Sequence, residues 1–250
     1  MKIATLARFS LFLIAFVAAT GQAALAATVT PEPLGGRAPD VYAAPRGFRV
    51  IDPRLNGTNV ASIVYDNTAS TANAGFSSTD LAASYGDEIF TTGTGDLTSQ
   101  RFTVFNSGSS AGLLLTATIA ISIYDANTNA PLGSYSTTAN FGTGLSPGFY
   151  STVTVTNLDP LLISLSSNHL LVLQTITAQT GAASKLGIAS LNPVTTGSSP
   201  DYMYIQATTV GPGGYYFLSV PANPGYQVSV IPPPVDVKSN SWGAIKALYR

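Results

Sequence analysis

Thr116–Ala126 reads TATIAISIYDA and sets Ile119, Ile121 and Ile123 alternately with Thr118, Ala120, Ser122 and Tyr124. Successive side chains of an extended chain point to opposite faces, so this period of two describes a strand with one buried face. Tyr150–Leu158, YSTVTVTNL, repeats it with Val153 and Val155 set between threonines. Leu161–Ser167, LLISLSS, places Leu161, Ile163 and Leu165 on one side. Asn168–Thr177, NHLLVLQTIT, loses the alternation at its centre and reads as a central strand covered on both sides.

Between these runs stand DANTNAPLG, TGLSPG, NLDP and GPGG, where glycine, proline and asparagine supply turn conformations. About ten strands are expected, beginning near Val60, Glu88, Thr98, Leu114, Leu132, Tyr150, Leu161, Leu170, Tyr202 and Tyr215, with a further one at Gln227. No stretch among them carries a helical period. Short alternating strands at this spacing predict an all-β fold, an antiparallel and jelly-roll-like β-sandwich over residues 60–231.

The flanks differ in character. Residues 1–26 place Lys2 and Arg8 before an apolar stretch from Leu11 to Ala19 and end in Ala24-Leu25-Ala26, the order of a secretory signal peptide cleaved after Ala26. The apolar stretch is shorter than the roughly 20 residues of a membrane-spanning helix, and no other segment qualifies. A secreted or cell-surface protein follows, with no transmembrane helix in the mature chain. Residues 27–59 hold five prolines and four arginines without a sustained period and read as an irregular leader, ordered against the domain in part. Its arginines suit either an electrostatic partner for an acidic body or a solvated arm.

Prolines in 232–238 stiffen the exit from the last strand. The tail 239–250, SNSWGAIKALYR, then suits a short helix capped by Asn240 or Ser241, with Ile245, Leu248 and Tyr249 on one side and Lys246 and Arg250 in water. Trp242, Gly243, Ile245, Lys246, Tyr249 and Arg250 are the residues through which such a tail would be read as a sorting signal, the alternative being a tail docked on the sandwich with Trp242 buried.

Charge and composition bound the function. Between Ala61 and Ile231 only Arg101 and Lys185 stand against Asp66, Asp80, Asp87, Glu88, Asp96, Asp125, Asp159 and Asp201. A body of that sign repels a phosphate backbone, so no nucleic-acid partner is expected. The chain has no cysteine and one histidine, His169, which reads as a capping or surface group. No GxSxG motif is present, and Glu88 would need an aspartate opposite it to act as a glycosidase pair. The expectation is therefore no enzyme.

Two binding chemistries have candidates. Asp66, Asp87, Glu88 and Asp96 invite Ca2+, which takes several hard oxygen ligands, although Asp87 and Glu88 would face opposite ways if both lay in one strand. In DYMYIQA and GYYFLSV, inward Met203 and Ile205 would turn Tyr202 and Tyr204 outward, beside Tyr215 and Phe217, either as an aromatic platform for carbohydrate or protein or as rings packed across the strands or covered by the leader or tail.

VYDNTASTANAGFSS, YGDEIFTTGTGDLTSQRFTVF, ATIAISIYDANTNAPLGSY and STVTVTNL together resemble the exported bacterial choice-of-anchor domains of the PEP-CTERM-associated kind, over roughly residues 60–176. The resemblance implies a surface or extracellular β-sandwich of unassigned molecular activity. The tail departs from it, with no apolar anchor helix, and is similar instead to short Trp-Gly-x-x-Lys endings. The resulting expectation is a non-enzymatic surface or matrix protein that meets export and sorting machinery and an extracellular glycan or surface protein. The alternatives are a carbohydrate-binding module and an extracellular polysaccharide hydrolase.

Overall fold

The computed structural model describes residues 34–43, 45–46, 60–107, 112–207, 211–217 and 220–233. Residues 1–26, expected as a signal peptide, and residues 239–250, expected as a short helical tail, lie outside the described residues. Sixteen strands are described, in two packed sheets, and the expected all-β sandwich is the observed architecture. No helix among the described residues is long and apolar enough to cross a membrane.

Three short strands come from the leader: β1 (Gly36–Arg37), β2 (Val41–Ala43) and β3 (Pro45–Arg46). Then follow β4 (Ser62–Asp66), β5 (Thr71–Ser78), β6 (Ser84–Phe90), β7 (Gly95–Asn106), β8 (Leu114–Asp125) and β9 (Pro131–Leu145). The second half holds β10 (Phe149–Val155), β11 (Ser164–Leu165), β12 (His169–Gly181) and β13 (Leu186–Asn192). β14 (Tyr202–Ala207), β15 (Gly211–Phe217) and β16 (Tyr226–Ile231) complete the chain order.

Sheet B runs β15-β14-β6-β12-β8-β9-β3. Sheet A is organised about the long β7. One edge of β7 takes β10 and β11, the other takes β16 and β13, and β4 and β5 lie outside those two in turn. The core lies between the sheets. Ile119, Ile121 and Ile123 of β8 point into it, as their spacing predicts, and meet Leu170, Val172 and Ile176 of the neighbouring β12. Leu171, on the other face of β12, is also buried, so this central strand is partly covered on both sides.

The structure differs from the sequence reading in four places. The strand expected from Leu161 is a 3-10 turn, Asp159–Leu161, followed by Leu162 at φ 53° and only two strand residues. Pro160 near the head of the turn favours that start, and the turn leaves Leu162 exposed while Ile163 and Leu165 enter the core. β5 and β13 were not expected, because TANAGFSS and LGIASLN are rich in small residues and glycine. They pair with each other in register from Leu186↔Ser78 to Ser190↔Ala74. Here glycine permits close approach: a Cβ on Gly187 would overlap the carbonyl oxygen of Phe76, and one on Gly75 would overlap the Phe105 ring.

The leader is the third difference. Its residues 34–43 and 45–46 form a strap that pairs in parallel with β10 through β1 and β2, then antiparallel with β9 through β3, from the edge of sheet A to the edge of sheet B. The sandwich is thus antiparallel except at this edge. Arg37 and Arg101 both bind Asp40, at 2.8 and 2.9 Å, which ties the strap to β7. Ser151 Oγ also donates to Pro39 O at 2.7 Å. The fourth difference concerns the acidic residues and is described with the site.

Candidate functional site

β6 alternates as a strand must. Tyr85, Asp87 and Ile89 turn into the core, while Gly86, Glu88 and Phe90 face outward on sheet B. Asp87 is fully buried; Ser199 Oγ donates to its Oδ1 at 2.8 Å and Tyr65 Oη to its Oδ2 at 3.4 Å. Burial pushes the Asp87 carboxyl well above its ordinary value of 3.8, and the bonds from Ser199, the Glu88 backbone and Tyr65 offset this only in part.

The four acids proposed for Ca2+ are not brought together. Asp87 is inside and Glu88 outside; Asp66 accepts from Thr68 N, Thr68 Oγ1 and Gln227 Nε2, and Asp96 is the second residue of β7, paired with Ser164 of β11. Among the described residues no three or more carboxylate, imidazole or thiol groups converge. The period of two that divides Asp87 from Glu88 is the physical reason.

Asp87 makes stability depend on pH with a definite sign. A carboxyl raised by folding keeps its proton where the unfolded chain has released it, so its contribution is full below about pH 3.8 and is lost as pH rises toward the folded value. Thermal unfolding of the wild type from pH 5 to 9 should show stability falling. Asp87→Asn keeps an acceptor for Ser199 and a donor for Tyr65 without a charge, and should flatten the profile and raise the midpoint at pH 8 by about 2–4 °C per kcal/mol regained. A variant that melts lower at every pH over a flat wild-type profile would show that Asp87 imposes no such cost.

On the outer face of sheet B the predicted aromatic residues meet Glu88. Met203 and Ile205 are buried as expected, and Tyr204 stands opposite both Gly86 of β6 and Tyr215 of β15. Tyr202 donates its hydroxyl to Glu88 Oε2. Burial first, and that bond second, push the Tyr202 phenol upward. Phe217 is opposite Tyr202 in register, but its side chain lies outside the described residues.

The rings are not a flat platform. Tyr202 and Tyr204 stand at 76° and 77° to Tyr215, with centroids 5.1 and 5.4 Å away, because aromatic quadrupoles favour edge-to-face contact across strands. The result is a corner, with Tyr215 its most exposed member at 44%.

Sequence reasoning did not connect three further residues to this site. β12 pairs His169 with Phe90, and the rings stack at 4.1 Å and 13°. His169 Nε2 lies 2.7 Å from Glu88 Oε1, and Nδ1 lies 2.9 Å from Asn127 Oδ1. Glu88 therefore sits between Tyr202 and His169, and an aromatic strip crosses β15, β14, β6 and β12 with exposed Tyr215 at one end and the Phe90–His169 stack at the other. The outward position of Phe90, two residues after Glu88, is legible locally; its pairing with His169 joins residues 79 apart and is not.

No family model, curated protein or solved structure matches the chain.

Proposed function

We propose that the protein is an exported, non-enzymatic β-sandwich of the bacterial surface or extracellular matrix, that the outer strip of sheet B is its contact surface, and that extracellular glycan is the ligand class. The observation that carries the reading is the perpendicular tyrosine corner joined through Glu88 to the Phe90–His169 stack. Such a strip offers ring faces for the C–H surface of a sugar and hydroxyl and carboxylate groups for its polar edge.

The placement of the polar residues supports a binding role over hydrolysis. Ser199 bonds to Asp87 inside the sandwich while the histidine lies on the outer face, so no serine–histidine pair forms between them. Asp87, the acid next to Glu88 in sequence, faces the core and cannot share a glycosidic bond with it.

The N-terminal signal carries the exported part of the reading, and residues 239–250 are its sorting tail. A glycan array with the mature protein tests the ligand class: specific binding is expected, weakened at least about tenfold by Tyr215→Ala, the loss of one stacking contact in a small site. Fractionation of the producing cells tests the address, with tail deletion expected to move the protein from surface to medium or periplasm. An empty array, or tail deletion without relocation, would refute the corresponding half.

A further inference from the structure

We propose that the ligand of the sheet B strip carries a positive charge, as a protonated amine on its sugar ring; this rests on the glycan reading above. The first observation is the distribution of fixed charge. The six strands β15, β14, β6, β12, β8 and β9 contain no lysine or arginine, and their one histidine, His169, is engaged with Glu88 and Asn127, so no fixed positive charge of theirs stands ready for a uronate or sulfate. Arg37 and Arg101 are committed to Asp40 at the edge of the other sheet. Lys185 precedes β13 of that same sheet, and Arg46 belongs to β3, beyond β9. Among the described residues, an anionic glycan laid on this face would meet Glu88 with His169, already bonded to that carboxylate, as the one group beside it able to carry positive charge.

The second observation is the surroundings of Glu88. Its side chain is 14% exposed, so its field is less screened than that of a free surface acid. One oxygen accepts from Tyr202 and the other touches His169, which fixes the carboxylate and leaves further lone-pair directions for a third partner.

The third observation is the ring geometry. Tyr202 and Tyr204 stand nearly perpendicular to Tyr215, so ring planes in two orientations lie in one group of side chains, with Tyr202 bonded to the carboxylate and Tyr215 44% exposed. Aromatic faces attract cations through the ring quadrupole, and tyrosine walls with an acid alongside suit an ammonium group. A neutral sugar can stack on the same rings. An amine-bearing sugar adds the charge interaction.

The test compares two probes that share a backbone and differ in charge: β-1,4-linked oligomers of glucosamine and of N-acetylglucosamine, titrated calorimetrically against the mature protein. The glucosamine oligomer is expected to bind about tenfold more tightly at low salt, with the gap narrowing as added salt screens the charge. Glu88→Gln should bring the affinity ratio toward one. Tyr42→Ala, an 80% exposed tyrosine on the strap, should leave the ratio unchanged. The wild-type salt dependence decides the matter independently if Glu88→Gln fails to fold. Equal affinities, or a preference that salt does not reduce, would overturn the charge inference while the glycan reading stands. If neither oligomer nor any arrayed glycan binds, both readings fail.

Discussion

Gly187→Ala is expected to destabilise the protein by at least about 3 kcal/mol, among the largest effects of a single substitution. Gly187 of β13 pairs with Ser77 of β5, and an added Cβ would overlap the carbonyl oxygen of Phe76 and crowd Ser77 Cα. Both obstacles are backbone, so no side chain can swing aside. β5 must withdraw or the pairing must break. Ile188, Ala189 and Phe76, all buried beside this contact, would lose their packing with it. Gly214→Ala is the control: a Cβ there meets nothing within 4 Å, and the change should stay within about 0.5 kcal/mol. Urea unfolding of both variants measures the difference. Equal midpoints for Gly187→Ala and wild type would mean that the β5–β13 ladder is not as close as described.

Removing the strap, residues 34–46 with the chain before them, should cost about 2–4 kcal/mol and cause self-association, since each lost backbone hydrogen bond contributes about 1 kcal/mol before the regained chain entropy is subtracted. The strap covers β10 over Phe149–Tyr150 and Val153–Val155, and β9 over Ser136–Thr137. Without it β10, a run of alternating valine and threonine, would present open N–H and C=O groups, the usual template for edge-to-edge pairing. Asp40→Ala isolates the charge contribution. With Asp40 and Arg101 side chains 30% and 25% exposed, losing that acid should cost only about 1 kcal/mol. Light scattering and urea midpoints report the two effects separately. A truncated protein that stays monomeric with an unchanged midpoint would show that the strap is ornamental to the sandwich.

What the sequence determined by itself is the content of strands whose two faces differ. Ile119, Ile121 and Ile123 declare their buried side by spacing alone, and Met203 and Ile205 do the same for β14, so the outward direction of Tyr202 and Tyr204 was legible before any pairing was known. The reason is that the direction of successive side chains is a local property of extended backbone. The separation of Asp87 from Glu88 belongs to the same class, because two adjacent strand residues cannot share a face. Tertiary structure alone decided which strands are neighbours. β5 and β13 carry little apolar pattern and exist as strands because glycine and small residues let their backbones meet. The strap has no period, and its place is set by pairing with β10 and β9 and by two arginines on one aspartate. His169 reached Glu88 through the register of β12 on β6, and the tyrosines turned edge-on through the pairing of β14 with β15. Those partners are distant in sequence, and backbone hydrogen bonds, being the same for every residue, leave no mark in the sequence of which strand will be paired with which.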